Sequence, residues 1–264
     1  MILGTLAEGY DLHQIDKKRL QELLPDDETP AFRTIVRQVD GEKISAKDRE
    51  KLDAVFAAFG KEQARFIRML MTRKHRRRCD DYKSWRNELL HSGYKSEAGL
   101  QNRHWKLALQ AAAGICQRYW RAAQVKARDQ LIREAWFGKL SADERSYVFI
   151  MLSDTHEAFF DMLDGKLPAL TVPVSRGSSE RRELAAASKI GLCAAMRRKI
   201  WACCGRVPQH GEDRSIWFDV SCYSQKRLPD GDVEVRVMSL EKGERVPVVI
   251  KGSVLVGKIG RAHV

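Results

Sequence analysis

The chain has 264 residues, 44% of them hydrophobic and 31% charged, with a formal net charge of +12. That is a globular composition long enough for two domains, and no apolar run approaches the ~18 residues that a bilayer crossing needs. The six cysteines, at 79, 116, 193, 203, 204 and 222, make no Cys-x-x-Cys pair, and no secretory signal stands at Met1; they predict reduced, mostly buried thiols in a cytoplasmic protein with no membrane partner.

The distribution of charge says more than its size. Residues 61–140 hold 19 of the 47 Lys and Arg but only 7 of the 35 Asp and Glu, so the entire net charge lies there. The remaining residues carry 28 of each sign. Within them, residues 176–207 are basic again, with 8 Lys and Arg against 2 Glu. Two basic segments set among neutral ones predict a surface that faces a polyanion, nucleic acid being the commonest.

Residues 1–44 form an uncertain N-terminal extension. Within it, 16–24 and 29–39 are short helical candidates, the second with Thr29 as cap and Pro30 at the first helical position. Ser45 with Asp48 three residues on is a capping box. It opens a helix whose stripe is Leu52, Val55, Phe56, Phe59, Phe66 and Leu70, with Gly60 a candidate kink. The run RKHRRR (73–78) follows, with Asp80-Asp81 expected to counter it. Five cations in six positions exceed what a helix C-terminus needs, so Arg73, Lys74, Arg76, Arg77 and Arg78 are candidate phosphate contacts, with Arg86 beyond them. A solvated basic helix end is the plainer alternative.

Residues 91–99 read as a loop. A long helix is expected over 101–136, with Trp105, Leu109, Ala112, Cys116, Tyr119, Ala123 and Leu131 on one face. Arg103, Lys106, Arg118, Arg121, Lys126, Arg128 and Arg133 lie on the others. Aromatic and basic residues interleave here and just before. Trp105 and Tyr119 belong to the core stripe, whereas Trp85 and Trp120 are the candidates for exposed, base-stacking rings. Ser141 and Glu144 form a second capping box. Val148, Phe149, Leu152, Phe159, Phe160 and Leu163 then predict one apolar helix face, stopped at Gly165. Residues 45–166 therefore read as a helical lobe.

Residues 167–178, rich in Pro, Gly and Ser, read as a linker. A basic helix is expected over 179–205, carrying Arg181, Arg182, Lys189, Arg197, Arg198 and Lys199. Beyond it the period changes to two. Residues 215–224, 233–240 and 245–252, with turns at 229–231 and 241–244, predict a partial antiparallel β module over 215–257. The fold class is thus mainly α: a basic helical lobe followed by a partial antiparallel β region. The closing residues 258–264, KIGRAHV, match the translation of a common sequencing adapter and read as an assembly artefact, which would make the chain the front of a longer protein.

Catalytic motifs are missing. There is no phosphate-binding glycine loop, no His-Glu-x-x-His and no nucleophile elbow. Asp80-Asp81 alone cannot make a two-metal site.

The order of parts, a basic helical lobe containing RHWKLALQAAAGICQRYWRAAQVKAR and then strands ending VEVRVMSLEKGERVPVVIKG, resembles the region upstream of the nuclease domain in the transposon-encoded TnpB proteins and type V CRISPR effectors. The resemblance spans residues 100–252. It implies a recognition lobe and wedge-type barrel that hold guide RNA and an RNA–DNA heteroduplex, with RNA and DNA as partners. It also implies a RuvC-type domain downstream that cuts DNA with acidic residues and magnesium. The first RuvC strand with its aspartate does not follow Gly252, so no catalytic residue, zinc ligand or cofactor is carried over to this fragment; magnesium is expected only of a full-length parent. Under this reading Arg73, Lys74, Arg76, Arg77, Arg78, Arg86, Arg103, Lys106, Arg118, Trp120, Arg121, Arg181, Arg182, Arg197 and Arg198 are the candidate nucleic-acid contacts. A stand-alone basic nucleic-acid-binding adaptor and a helical protein-interaction module remain the alternatives.

Overall fold

The computed structural model describes residues 42–175, 177–184, 189–208 and 223–251. The candidate helices at 16–24 and 29–39, residues 215–222 of the first expected strand (215–224) and the tail at 258–264 lie outside them. The described residues are mainly helical, with a small open antiparallel β region. No helix among them is long and apolar enough to cross a membrane. The fold has two compact units, one within Met1–Arg65, Arg86–Ala111 and His210–Val264, the other within Phe66–Trp85 and Ala112–Gln209. Helices α1 (Ala46–Leu70), α2 (Tyr82–His91) and α3 (Asn102–Leu131) each give residues to both.

In the first unit α1 opens on half of the expected capping box: the Asp48 amide donates to Ser45 Oγ at 3.1 Å, but the Asp48 carboxylate accepts from the Ser45 hydroxyl at 2.6 Å rather than from the Ser45 amide. Leu52, Val55, Phe56 and Phe59 are buried. Gly60 does not break the helix, which runs on to Leu70. Its next turn carries Glu62, 1% exposed. That carboxylate accepts from Ser96 Oγ at 2.7 Å, from the Ala98 amide at 3.4 Å and from the Tyr94 hydroxyl. The 91–99 loop is thereby folded around a buried anion, as a buried charge demands hydrogen bonds. Tyr94 stands edge-on to buried Trp105, centroids 4.9 Å apart.

The same unit holds a four-stranded sheet in the order β1-β6-β5-β4, all antiparallel. Its strands are β1 (Glu42–Lys43), β4 (Tyr223–Arg227), β5 (Val233–Met238) and β6 (Arg245–Ile250). The expected three-strand module thus gains a short edge strand from the N-terminal side. Val233, Val235, Val237, Val246, Val248 and Ile250 are buried, the one-face burial that a two-residue period dictates. Two turns bring the strands back, with Gly231 and Gly243 both at φ +83°, a conformation that side chains with a Cβ resist. Gln101 Nε2 donates to the carbonyls of Ser239 and Glu241, both at 2.8 Å, and Lys51 pairs with Glu244, tying the helices to the β5–β6 turn.

The second unit is built on the latter half of α3. Cys116, Trp120, Ala123, Ala127 and Leu131 are buried there. Trp120 meets Phe159 and Phe160 edge-on at 6.1 and 6.0 Å. The helix ends at Leu131 rather than near 136, and a 3-10 turn, Phe137–Lys139, follows. Helix α4 (Ala142–Met151) carries the predicted capping box in full: the Ser141 side chain accepts from the Glu144 amide, and the Glu144 side chain accepts from the Ser141 amide.

The single helix expected to reach Gly165 is in fact two. Helix α4 stops at Met151, and α5 (Glu157–Leu163) restarts after His156, whose Nδ1 accepts from the Phe159 amide at 3.2 Å. Helix α5 does end at Gly165, φ +87°. The Gly165 and Lys166 amides donate back to the carbonyls of Met162 and Asp161, the paired bonds of a Schellman motif.

Two further expectations are corrected. The 167–178 linker contains β2 (Thr171–Pro173), which pairs with β3 (Arg181–Glu183). The basic helix therefore starts later: α6 is Lys189–Cys203, and Arg181 and Arg182 stand on a strand.

Candidate nucleic-acid interface

The arginine run meets carboxylates of its own chain. Asp164 caps the C-terminus of α5, where an acid is disfavoured by the helix dipole and needs cations beside it. Arg73 Nε donates to Asp164 Oδ1 at 2.8 Å, Arg77 Nη2 to Asp164 Oδ2 at 2.9 Å, and Arg76 also pairs with Asp164. Arg77 reaches Asp161 as well. Burial pushes the Asp164 carboxyl up, but the hydrogen bond from Arg77, the charge of Arg76 and the bonds from Arg73 and Arg76 outweigh it and hold it below the ordinary aspartate value. The Arg76 side chain is only 6% exposed. The acids paired with Arg73, Arg76 and Arg77 are thus Asp164, Asp161 and, at 3.9 Å from Arg77, Glu157, rather than the adjacent Asp80-Asp81 expected from sequence; the Asp80 carboxyl is pushed up by burial and by Asp154. Arg78 is half-buried and engaged. Lys74 is the exposed cation of the run with no carboxylate partner among the described residues.

Other candidates are engaged too. Arg182 forms a two-pronged pair with Asp143 at 2.8 and 2.9 Å, and Arg181 donates to Thr171 Oγ1 and its carbonyl at 3.2 and 3.1 Å. The half-buried Arg197 lays its guanidinium against Gly165, where an added Cβ would stand 2.7 Å from Nη1. In the first unit, Arg86 donates to Asn87 Oδ1 at 3.4 Å, Arg103 is exposed and Lys106 half-buried.

The rings expected to stack on bases are inside. Trp120 is 1% exposed and Trp85 5%. Trp85 packs edge-on to Phe66 at 6.0 Å and stacks with His75 at 5.4 Å. The helical step explains the exchange with Tyr119: from buried Cys116 the stripe advances four residues to Trp120, then three to Ala123, leaving Tyr119 half-buried at its margin.

A free cationic surface remains on the second unit. Arg118, Arg121 and Lys126 are exposed on α3, and Arg133 just past its end. At 3.6 residues per turn the three helical cations fall within an arc of about 140°. None of the four has a carboxylate partner among the described residues. The one acid in that arc, Asp129, lies 3.6 Å from Arg128. Helix α6 packs alongside: Tyr119 donates its hydroxyl to the Gly205 carbonyl at 3.1 Å, Lys199 pairs with Glu134 at 2.8 Å, and Trp201 meets Trp120 edge-on at 5.7 Å. Exposed Arg198 and Arg206 belong to this neighbouring segment. Trp201, 47% exposed, escaped the sequence reading although its setting, MRRKIW, has the same basic–aromatic interleaving as the stretches singled out.

Among the described residues no three His, Cys, Asp or Glu come together as a metal ligand set. Cys79, Cys116 and Cys193 are buried free thiols, and burial pushes the first two up to about 12, far from a reactive thiolate. No protein-family model, curated protein or solved structure matches the chain.

Proposed function

We propose that the chain binds nucleic acid through phosphates, as the part of a TnpB-like or CRISPR-type RNA-guided DNA endonuclease that holds guide RNA and the RNA–DNA heteroduplex. The observation that supports this is the exposed set Arg118, Arg121, Lys126 and Arg133, with no carboxylate partners among the described residues. Surface cations left without acids repel one another and gain most from a polyanion. The engagement of Arg73, Arg76 and Arg77 with Asp161 and Asp164 supports a narrower role for the basic run, which serves the scaffold while α3 serves the partner.

Replacing Arg118, Arg121, Lys126 and Arg133 together with Gln tests the reading. Each phosphate contact contributes about 0.7–0.9 to the slope of log affinity against log salt, so the slope for structured RNA is expected to fall by roughly 3. Gln and Arg have similar helix propensity, and circular dichroism should show both proteins equally folded. An unchanged slope in the folded variant removes this face from the interface. A wild-type protein that binds no RNA leaves the helical interaction module standing instead.

A further inference from the structure

Trp85, Trp105 and Trp120 are all buried. Trp136 is half-buried, and Trp201 is the most open of the described tryptophans: it follows buried Ile200 on α6 and keeps 47% of its surface in water. A large exposed indole is unusual on a folded surface and is a common anchor for a partner. Its environment is also built. Trp120, itself fixed by Phe159 and Phe160, abuts the ring at 5.7 Å with the planes 80° apart. The guanidinium carbon of Arg76 lies over the ring, 5.8 Å from its centroid, and Arg76 is in turn held by Asp164. The indole is thus braced by groups that are themselves locked, and little conformational freedom is left to lose on binding. Exposed Arg198 stands one turn before it, and exposed Arg206 follows the helix.

We infer that Trp201 is a stacking platform for an unpaired base, with Arg198 and Arg206 on the flanking phosphates. A nucleotide supplies both things this surface lacks, a flat ring for the open indole and an anion for the arginines. A base within a duplex cannot reach the ring without leaving its stack. The inference rests on the nucleic-acid reading above and adds to it a preference for single-stranded or bulged RNA over a continuous duplex.

The test compares wild type, Trp201→Ala and Trp201→Phe on a 12-nucleotide unpaired adenosine RNA and on a blunt RNA duplex of equal length. Loss of one base–aromatic stack is expected to weaken binding of the unpaired RNA about 5- to 150-fold in the alanine variant. The phenylalanine variant should retain most of the affinity, and duplex affinity should change less than about twofold. The salt slope should stay as in wild type, since no phosphate contact is lost. Thermal unfolding checks that both variants fold. Equal losses on both RNAs, or none, overturn the stacking role while leaving the phosphate face intact. Poly-glutamate binding with the same Trp201 dependence would mark a general acidic-polymer surface and also overturn it. If wild type binds neither RNA, the nucleic-acid reading itself falls, and this inference with it.

Discussion

Asp164→Ala is expected to destabilise the second unit by about 3–5 kcal/mol, the usual cost of leaving one partner of a buried ion pair behind. The abandoned group is Arg76, whose side chain is 6% exposed and whose Nε already has no hydrogen-bond partner among the described residues. Arg77 keeps Asp161, and Arg73 is 77% exposed and can be hydrated. Arg73→Gln should therefore cost less than about 1 kcal/mol, as surface pairs do. Adding Arg76→Met to the Asp164→Ala protein removes the stranded charge and should return much of the loss. Urea unfolding followed by circular dichroism gives all three values; a loss below about 1 kcal/mol for Asp164→Ala would show that the cluster does not hold the fold. The pH dependence has a definite sign. A carboxyl held below its ordinary value in the folded state contributes stability above the unfolded aspartate pKa, near 3.9. That contribution is lost as pH falls through the lower folded value.

A second acid transition, at higher pH, is expected from the first unit. His104 is fully buried in the first turn of α3. Burial lowers its pKa to about 4, and a positive charge near a helix N-terminus is disfavoured in any case. The unfolded chain takes up the proton near pH 6.5 and the folded chain only near 4, so stability falls as pH drops through that interval. A difference of about 2.5 units corresponds to roughly 3 kcal/mol by pH 4. His75 shifts in the same direction through burial and the neighbouring Lys74 and Arg78, so the informative quantity is the difference between wild type and His104→Gln. The variant should show a flatter stability profile from pH 6.5 to 4, whatever its stability at neutral pH. Parallel profiles would mean that His104 takes up its proton in the folded state as readily as in the unfolded one.

Local rules were legible in the sequence and distant partners were not. The Ser141–Glu144 box, the glycine stop at 165 and the alternation of β5 depend on residues within a few positions of one another, and each is present. The break between α4 and α5 was hidden because Val148, Leu152, Phe159 and Leu163 keep a helical period across it. The residue that restarts the helix, His156, is also not among the usual caps. The hairpin of β2 and β3 was hidden because neither strand exceeds three residues. The arginine run looks available in the sequence because its acids are remote along the chain, and only folding sets Asp161 and Asp164 beside it. The cations without a carboxylate partner among the described residues, Arg118, Arg121 and Lys126, are visible in the sequence as a helix face, but nothing in their spacing distinguishes them from Arg76.

The ion-pair cluster has a consequence for proteolysis. Residues 73–78 are the densest concentration of trypsin sites in the chain. A protease must draw several residues of backbone into its cleft in extended form, and here Arg76 to Cys79 is a 3-10 turn with Arg76 and Cys79 buried and three arginines bound to carboxylates. Exposed Arg118 and Arg121 lie in the middle of a long helix, which resists for the same reason. Limited trypsin digestion should spare the stretch that looks most vulnerable on paper. Cleavage within 73–78 would then report that Asp164 has let go, which makes it a direct signal of local opening in the second unit.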